Sequence, residues 1–244
     1  VTNKLLKDDA KKICVAYDGM ERFFPKDKII LTGNPVRQNL TSGTKEEAIK
    51  YFNEEFGVNF TTEKKTLLII GGSLGARTIN QSIIAHLNEL IESGIQVIWQ
   101  TGKNYFADCK AALINNQLPI ANSPIICTDF VSQMPLAYAL ADLVISRAGA
   151  SSISELCLLG KPSILVPSPN VAEDHQTHNA MALVRKDAAV MVKDVDAKEQ
   201  MVGTALSLIQ DKARLESLHQ HILTPALPDS AKRIAEEVMK LAKK

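Results

Sequence analysis

The chain has 244 residues, of which 45% are hydrophobic and 23% charged, so it is long enough and apolar enough to bury a substantial core. Its formal net charge of +1 gives no reason to expect a polyanionic partner, and nucleic acid is therefore not an expected ligand. No apolar run approaches the length of a membrane span, and the four cysteines form no C-x-x-C pair, which argues against a transmembrane helix and against a disulfide or zinc framework.

Along the chain, short apolar runs rich in β-branched residues alternate with longer amphipathic runs. The helical pattern is clear in 76–93, "ARTINQSIIAHLNELIES", where apolar residues recur at helix spacing. Strands that alternate with helices predict parallel β-α-β units, and we place a doubly wound parallel α/β sheet in about residues 60–225. The predicted strands are 12–17, 28–33, 66–72, 96–102, 124–130, 142–147, 162–167 and 188–193.

A break in this pattern separates the first two predicted strands from the other six. Gly33 and Pro35 in "GNPVR" interrupt any regular element, so the residues before them are predicted to be the tail of another domain and a linker. The prolines of "TPALPD" at 224–229 end the preceding helix, and a last amphipathic helix is predicted at 230–244.

Ligands of doubly wound sheets bind beyond the carboxyl ends of the strands, so the loops after the strands contain the candidate site. The loop "GGSLGA" at 71–76 has three glycines that let backbone amides face a ligand, and the next helix adds partial positive charge, which together favour phosphate. The loop lacks the G-x-G-x-x-G spacing of dinucleotide sites and the G-K-[ST] of a Walker A loop, so neither NAD nor ATP is supported. A tight turn with Ser73 as the cap of the next helix is the alternative.

The loop "SRAGASS" at 146–152 repeats this arrangement one strand further on. Gly149 permits the turn, and Ser152 with Glu155 fits the S-x-x-E capping box, which is one explanation of the carboxylate. The other explanation is that Glu155 accepts hydrogen bonds from the two vicinal hydroxyls of a ribose. Phosphates on backbone amides and a ribose on Glu155 would together describe a nucleoside diphosphate.

The segment "HQTHNA" at 175–180 offers a second set of polar side chains. His175 and His178 could ligate a metal on one helical face, but a solvated helix start is the more ordinary explanation. Gln176 and Asn179 are better suited to a sugar, because their amides both donate to and accept from hydroxyls.

Asp194 and Asp196 form a D-x-D triplet, a pattern that some sugar transferases use to bind a divalent cation. The triplet stands between a predicted strand and a helix, which favours Asp196 as the N-cap of that helix. We therefore predict no metal site. We also find no serine, cysteine or carboxylate paired with a base, as covalent catalysis would need.

Five motifs, taken together and in this order, resemble those of the MurG family of bacterial glycosyltransferases, and the resemblance covers nearly the whole chain. That family transfers GlcNAc from UDP-GlcNAc to lipid I, the undecaprenyl-pyrophosphoryl-MurNAc-pentapeptide, and so makes lipid II for peptidoglycan synthesis, cell wall biogenesis, cell shape and cell division. The resemblance implies a hexosyltransferase that binds peripherally to the cytoplasmic face of the bacterial cell membrane. The motifs are "GNPVR", "GGSLGARTINQ", "WQTGK", "SRAGASSISELCLLGKPSILVPSP" and "HQTHNA".

The resemblance also implies a GT-B architecture, in which two Rossmann-like domains face a cleft. The N-terminal domain of the family carries a glycine-rich "GGTGGH" loop and the acceptor site, and no such loop occurs in this sequence. By resemblance, residues 1–36 are the end of the N-terminal acceptor domain and a linker, and residues 37–225 are the C-terminal UDP-GlcNAc-binding domain. Residues 226–244 would pack back toward the N-terminal domain, most of which is expected to precede Val1.

The resemblance assigns roles to individual residues. Arg37 approaches the nucleotide, Ser73 meets the diphosphate, and the backbone of Val131 reads the uracil edge. Gln176 takes the GlcNAc hydroxyls, and three further residues adjoin the site: Gly72, Asn179 and His175, which stands where the family more often has a second glutamine. The segment that lines the diphosphate and the ribose, with Glu155 on the ribose hydroxyls, comprises Ala150, Ser151, Ser152, Ile153, Ser154 and Glu155.

The implied chemistry is an inverting displacement, in which a MurNAc hydroxyl attacks the anomeric carbon and UDP leaves. Helix N-termini and loop amides stabilise the developing diphosphate charge, so no metal is expected in this role and no cofactor is needed. The general base is expected in the N-terminal domain, so residues 1–244 alone are expected to be inactive in transfer. The alternatives are another GT-B transferase or an epimerase that uses a UDP-sugar, or a nucleotide-sugar-binding module without activity of its own.

Overall fold

The computed structural model describes residues 2–17, 19–116, 123–171 and 174–242. Two short strands near the N-terminus, β1 Ile13–Val15 and β2 Ile29–Leu31, form a parallel sheet of their own. The other six strands are β3 Thr66–Ile70, β4 Gln96–Gln100, β5 Ile125–Thr128, β6 Leu143–Ser146, β7 Ser163–Leu165 and β8 Val190–Met191.

These six strands form one parallel sheet in the order β5-β4-β3-β6-β7-β8. Each strand lies inside a run from which the sequence predicts it, and the doubly wound parallel sheet is confirmed. Every residue of β3, β4 and β6 is buried, as expected for central strands that are covered by helices on both faces.

Helices cover both faces of the six-stranded sheet. Leu68 and Ile70 of β3 point to one apolar cluster, whereas Leu67 and Ile69 point to the other, because successive strand residues face opposite sides. Helices α2, α6, α7 and α8 contribute to the first cluster, and α3, α4, α5 and α9 contribute to the second. The helices are α1 Thr2–Leu6, α2 Lys45–Phe56, α3 Arg77–Ala85, α4 Leu87–Glu92, α5 Phe106–Asn115, α6 Met134–Leu140, α7 Ala150–Leu159, α8 His175–Val184, α9 Ala197–Gln210, α10 Lys212–Leu223 and α11 Ser230–Ala242.

The helical pattern of 76–93 is confirmed, with a break at His86 that divides it into α3 and α4. His86 leaves the helical conformation at φ −121° and ψ 25°. Its ring nitrogens contact the Glu89 carboxylate at 2.6 Å and the Lys198 carbonyl oxygen at 2.8 Å. The contact with Lys198 on α9 is long-range, so the apolar spacing of 76–93 contains no sign of it.

The last helix starts against the N-terminal segment. Gly33 has φ +83°, and a Cβ there would overlap the Ser230 hydroxyl and lie 2.7 Å from the Leu227 Cβ. The side chain of Ser230 is buried, whereas Val238 and Met239 further along α11 are exposed. In the described part of the chain, no helix is both long and apolar enough to cross a membrane.

Candidate functional site

The strand order places a change of direction between β3 and β6. From β3 the sheet extends through β4 to β5 on one side, and then from β6 through β7 to β8 on the other side. β3 and β6 pair along residues 67–70 and 143–146. The loops that follow these two strands therefore lead to opposite faces of the sheet and leave a crevice at the carboxyl ends, where doubly wound sheets bind ligands.

Glycines determine the shape of the loop after β3. Gly72 and Gly75 have φ of 85° and 87°, in the left-handed region that glycine favours. A Cβ on Gly75 would overlap the carbonyl oxygen of Thr101, whereas a Cβ on Gly72 would meet nothing within 4 Å. Gly75 thus permits close packing against the loop after β4, and the exposed backbone at Gly72 is open to a ligand.

Ser73 lies in this loop but does not cap α3. The N-cap of α3 is Ala76, and no side chain forms a cap hydrogen bond there. Ser73 is exposed ahead of the helix, and its carbonyl oxygen accepts a hydrogen bond from Lys103 N at 3.4 Å. The capping alternative for Ser73 is therefore wrong, and its contact with a diphosphate stays a prediction.

The loop after β6 leads directly into α7, whose N-cap is Gly149. The first backbone hydrogen bond of the helix runs from Ile153 N to Gly149 O at 3.0 Å. The N–H groups of Ala150, Ser151 and Ser152 therefore have no acceptor within the helix. Three such donors at the positive end of a ten-residue helix favour an anion.

The predicted capping box of Ser152 and Glu155 is wrong. A box of that kind needs Ser152 at the N-cap, but the helix begins at Ala150 and places Ser152 inside the first turn. No side chain forms a cap hydrogen bond at this helix start. The Glu155 carboxylate accepts a hydrogen bond from the neighbouring helix α6 instead.

The immediate surroundings of Glu155 are a hydroxyl and a guanidinium. The Tyr138 hydroxyl donates to Glu155 Oε2 at 3.0 Å, and Arg37 Nε lies 4.0 Å from Oε1. The Glu155 side chain is 14% exposed, whereas that of Arg37 is 56% exposed. Burial and the neighbouring carboxylate raise the pKa of Tyr138, so its hydroxyl stays protonated and donates. A carboxylate held in this way keeps acceptor positions for further hydroxyls.

Residues 150–155 do not present one common face, because helix residues turn by about 100° each. Ile153 is 2% exposed and packs into the core, and its contact with a ligand stays a prediction. Ser154 donates to Ala150 O at 2.9 Å and accepts from Asn34 Nδ2 at 3.2 Å. The segment can thus contact a diphosphate mainly through the backbone of its first turn, and the side chains of Ser154 and Glu155 point to different neighbours.

A cavity of about 420 Å³ lies between α7, α8 and the N-terminal segment. Ser154 and Asn179 line it, together with Tyr17 and Leu183. The glycine loop at 71–76 does not contribute to its lining. Three of the predicted site residues, Ile153, Ser154 and Asn179, therefore face this cavity.

Arg147, the first residue after β6, connects three strand-end segments. Its Nη1 donates to Val166 O at 3.1 Å, to Pro167 O at 3.2 Å and to Asp194 Oδ1 at 2.5 Å. The other carboxylate oxygen of Asp194 accepts from Thr78 Oγ1 at 2.9 Å. Arg147 and Asp194 thus hold the loops after β6, β7 and β8 in place around the crevice.

The D-x-D triplet is part of this structural contact. Both carboxylate oxygens of Asp194 have protein partners, and Asp196 is the N-cap of α9, as predicted, although its side chain forms no cap hydrogen bond. Among the described residues, no group of three or more His, Cys, Asp or Glu side chains is placed to hold a metal ion. That the protein works without a metal or a cofactor stays a prediction.

The first five residues of α8 include Gln176 and Asn179, which are predicted to contact a sugar. Gln176 Oε1 accepts from Ser168 N at 3.0 Å, and Asn179 Nδ2 donates to Ala148 O at 3.1 Å. The two amides therefore fasten the loops after β7 and β6, each with one of its polar atoms. His175 is the exposed first residue of the helix. The contacts of these side chains with a sugar stay predictions.

The backbone N–H of Val131 already has a hydrogen-bond partner within the protein. Its N–H donates to Gln100 Oε1 at 2.9 Å, and Gln100 Nε2 donates to Gly72 O at 3.2 Å. The buried Gln100 side chain thus joins the loop after β5 to the glycine loop after β3. The Val131 N–H thus has a partner within the protein, and the contact of the Val131 backbone with a uracil edge stays a prediction.

Cys109 and Cys157 are buried and Cys127 is partly buried, and none of the three offers a reactive thiolate. Burial raises the pKa of Cys109, Cys127 and Cys157 to about 12, so these thiols stay protonated near neutral pH.

Four residues of the site escaped the sequence analysis: Asn34, Gln100, Tyr138 and Arg147. Gln100 and Arg147 stand at the ends of predicted strands, inside the motifs "WQTGK" and "SRAGASS", so their positions carried a signal. Tyr138 lies in an apolar helix, where a tyrosine normally indicates core, and only the contact with Glu155 distinguishes it.

The doubly wound sheet, its crevice and the helix N-terminus that opens on the crevice define a Rossmann-like domain of the GT-B glycosyltransferase type. The crystal structure of Acinetobacter baumannii MurG has a TM-score of 0.71 to this chain at 25% identity, and the match covers 98% of this chain and 64% of that one. Residues 66–234 match the glycosyltransferase family 28 C-terminal domain. The chain belongs to that family.

Two curated relatives extend the comparison to the whole chain. Proteins of Parabacteroides distasonis and Bacteroides thetaiotaomicron are each 56% identical to it, over 246 residues in both cases. Both are named UDP-N-acetylglucosamine--N-acetylmuramyl-(pentapeptide) pyrophosphoryl-undecaprenol N-acetylglucosamine transferase. The matches cover 100% and 99% of this chain but 64% and 63% of the relatives, so the chain spans slightly less than two thirds of their length.

Proposed function

We propose that this chain is the donor-binding part of an inverting hexosyltransferase that moves GlcNAc from UDP-GlcNAc to lipid I and so forms lipid II. The observation that carries the proposal is the position of two groups on α7 at the crevice. Three backbone N–H groups of its first turn lack helical acceptors, and the Glu155 carboxylate follows one turn later. The N–H groups can donate to diphosphate oxygens, and the carboxylate can accept from ribose hydroxyls.

The names of the relatives supply the sugar and the acceptor in this proposal. Both relatives are named for transfer of N-acetylglucosamine from its UDP derivative to a lipid-linked muramyl pentapeptide. At 56% identity along the whole chain, we extend that donor to this protein. Arg37 and Ser73 would then meet the nucleotide, the Val131 backbone would read uracil, and Gln176 would contact the GlcNAc.

The chemistry follows from where charge develops. As the anomeric C–O bond breaks, negative charge grows on the UDP leaving group, and the free N–H groups of Ala150, Ser151 and Ser152 stabilise it. In our proposal these fixed dipoles serve in place of a metal ion. The base that takes the proton of the attacking hydroxyl would come from the part of the relatives to which this chain does not align.

We also propose that the protein meets its acceptor at the cytoplasmic face of the cell membrane as a peripheral protein. The name of the relatives specifies an undecaprenol-linked acceptor, which is a lipid. The exposed apolar side chains on α11, among them Val238 and Met239, offer a surface that could contact a lipid or another domain.

Calorimetric titration with UDP, UDP-GlcNAc and free GlcNAc tests the donor assignment. UDP should bind more tightly than free GlcNAc, because the nucleotide meets fixed amides and a carboxylate, whereas Gln176 supplies only neutral hydrogen bonds. UDP-GlcNAc should bind at least as tightly as UDP. Free GlcNAc binding more tightly than UDP would be incompatible with the proposal.

A further inference from the structure

We propose that Tyr138 is a positioning residue for the nucleotide: its hydroxyl holds the Glu155 carboxylate in the orientation that receives the ribose. The inference rests on the proposed function, because it takes Glu155 as the ligand of the ribose hydroxyls. Tyr138 itself would not touch the nucleotide.

The position of the Tyr138 hydroxyl is fixed by the packing of its ring. Tyr138 lies on α6, is 2% exposed and belongs to the apolar cluster that also contains Leu156 of α7. A ring packed in this way has one orientation, so the hydroxyl oxygen occupies one position. Because that position is 3.0 Å from Glu155 Oε2, the hydrogen bond favours one orientation of the carboxylate.

The other neighbour of the carboxylate is less able to fix it. Arg37 Nε lies 4.0 Å from Oε1, beyond hydrogen-bond distance, and its side chain is 56% exposed. An exposed ion pair of this kind contributes little and does not define one geometry. A carboxylate has about four acceptor positions, so Tyr138 uses one and leaves enough for two ribose hydroxyls.

Packing alone does not explain a tyrosine at this position. A buried hydroxyl costs free energy unless it has a partner, and phenylalanine would fill the same space without that requirement. The partner in the structure is a side chain of the candidate site. The hydroxyl therefore serves the orientation of Glu155, and its removal should affect ribose recognition specifically.

The test compares UDP with 2′,3′-dideoxyuridine 5′-diphosphate, which lacks both ribose hydroxyls. Dissociation constants of both ligands are measured for the unmodified chain, for Tyr138→Phe and for Glu155→Gln. In Tyr138→Phe the affinity for UDP should fall about threefold to tenfold, the scale of one hydrogen bond, while the affinity for the dideoxy ligand stays unchanged. If the role of Tyr138 were purely structural, Tyr138→Phe would lower the affinity for both ligands by the same factor.

Tyr51→Phe is the matched control, because the Tyr51 hydroxyl contacts Ser132 Oγ at 3.2 Å and not Glu155. It should leave the ratio of the two affinities unchanged. Thermal unfolding without ligand checks that each variant folds. If Tyr138→Phe does not fold, Tyr138→Met replaces it, since methionine fills the site without a hydroxyl.

Two results would overturn the inference in distinguishable ways. If Glu155→Gln loses the preference for UDP over the dideoxy ligand and Tyr138→Phe keeps it, Glu155 binds ribose without help from Tyr138. If the unmodified chain shows no preference for UDP, Glu155 is not a ribose ligand, and the proposed function loses its main observation together with this inference.

Discussion

Glu155 lies one turn into α7, and its carboxylate accepts a hydroxyl from another helix, so it is not the cap of its own helix. The spacing of Ser152 and Glu155 is compatible with a capping box, and only the position of the helix start excludes it. That start depends on how Gly149 leaves β6. The local motif therefore predicts a local role, whereas the structure gives the carboxylate a partner on another helix.

Glu155→Ala should weaken UDP binding by about 1.5 to 3 kcal/mol, the scale of hydrogen bonds to a charged group. It should also lower the free energy of unfolding by about 1 to 3 kcal/mol, because the buried Tyr138 hydroxyl loses its partner. Glu155→Gln retains an acceptor for Tyr138 and should lose less stability. Calorimetry and urea unfolding measure the two effects. A loss of stability with unchanged UDP affinity would show that Glu155 does not contact the nucleotide.

Asp194→Ala should destabilise the protein by about 2 kcal/mol. The change leaves Arg147 without its carboxylate partner, and the expected loss is below the 3 to 5 kcal/mol typical of a fully buried pair, since both side chains are 16% exposed. Urea unfolding measures this change.

Asp196→Ala is the control for this variant. The Asp196 side chain forms no cap hydrogen bond, so its removal should change the stability little. UDP titrations of both variants in EDTA and in MgCl2 complete the comparison. Binding that disappears in EDTA, and that Asp194→Ala abolishes, would contradict the structural role and make the D-x-D triplet a cation site.

At the scale of elements, the sequence predicts the loops after β3 and β6, because glycines between an apolar run and a helix mark a turn. The residues that contact these elements could not be predicted from the sequence. Gly75 packs on Thr101, and His86 breaks a helix through a contact with Lys198, yet neither neighbour is close in sequence. Periodicity reports how one element faces the core, so it cannot report which element lies opposite.

Gly75→Ala should destabilise the glycine loop by about 2 kcal/mol or more, because alanine is strained at φ +87° and its Cβ would overlap Thr101 O. Gly203→Ala is the matched control: Gly203 lies exposed within α9, and its added Cβ meets nothing within 4 Å. That change should stabilise the protein by about 0.5 to 1 kcal/mol. Thermal unfolding of both variants measures these changes in stability. Equal effects of the two substitutions would show that the loop tolerates a side chain at Gly75.

At the scale of the molecule, alternating strands and helices predicted the doubly wound sheet, and connection rules favour parallel neighbours. The strand order, and with it the crevice between β3 and β6, depends on which strands pair, which the sequence pattern does not encode. The candidate site was therefore predictable as a set of loops. The bonds that fix its side chains, such as Tyr138 to Glu155 and Gln100 to Val131, required the three-dimensional structure.

A polypeptide of residues 1–244 should bind UDP-GlcNAc but not transfer the sugar to lipid I. The free amides of α7 and the Glu155 carboxylate are both within these residues, whereas the matched relatives are longer, with the alignment covering 64% of the first. Exposed apolar side chains on α1 and α11 should also make this polypeptide prone to associate. The assay uses a soluble lipid I analogue and radiolabelled donor, with the full-length Parabacteroides distasonis relative as the positive control. Turnover by residues 1–244 alone would show that the base lies within them, and the proposed division between donor binding and proton removal would then be wrong.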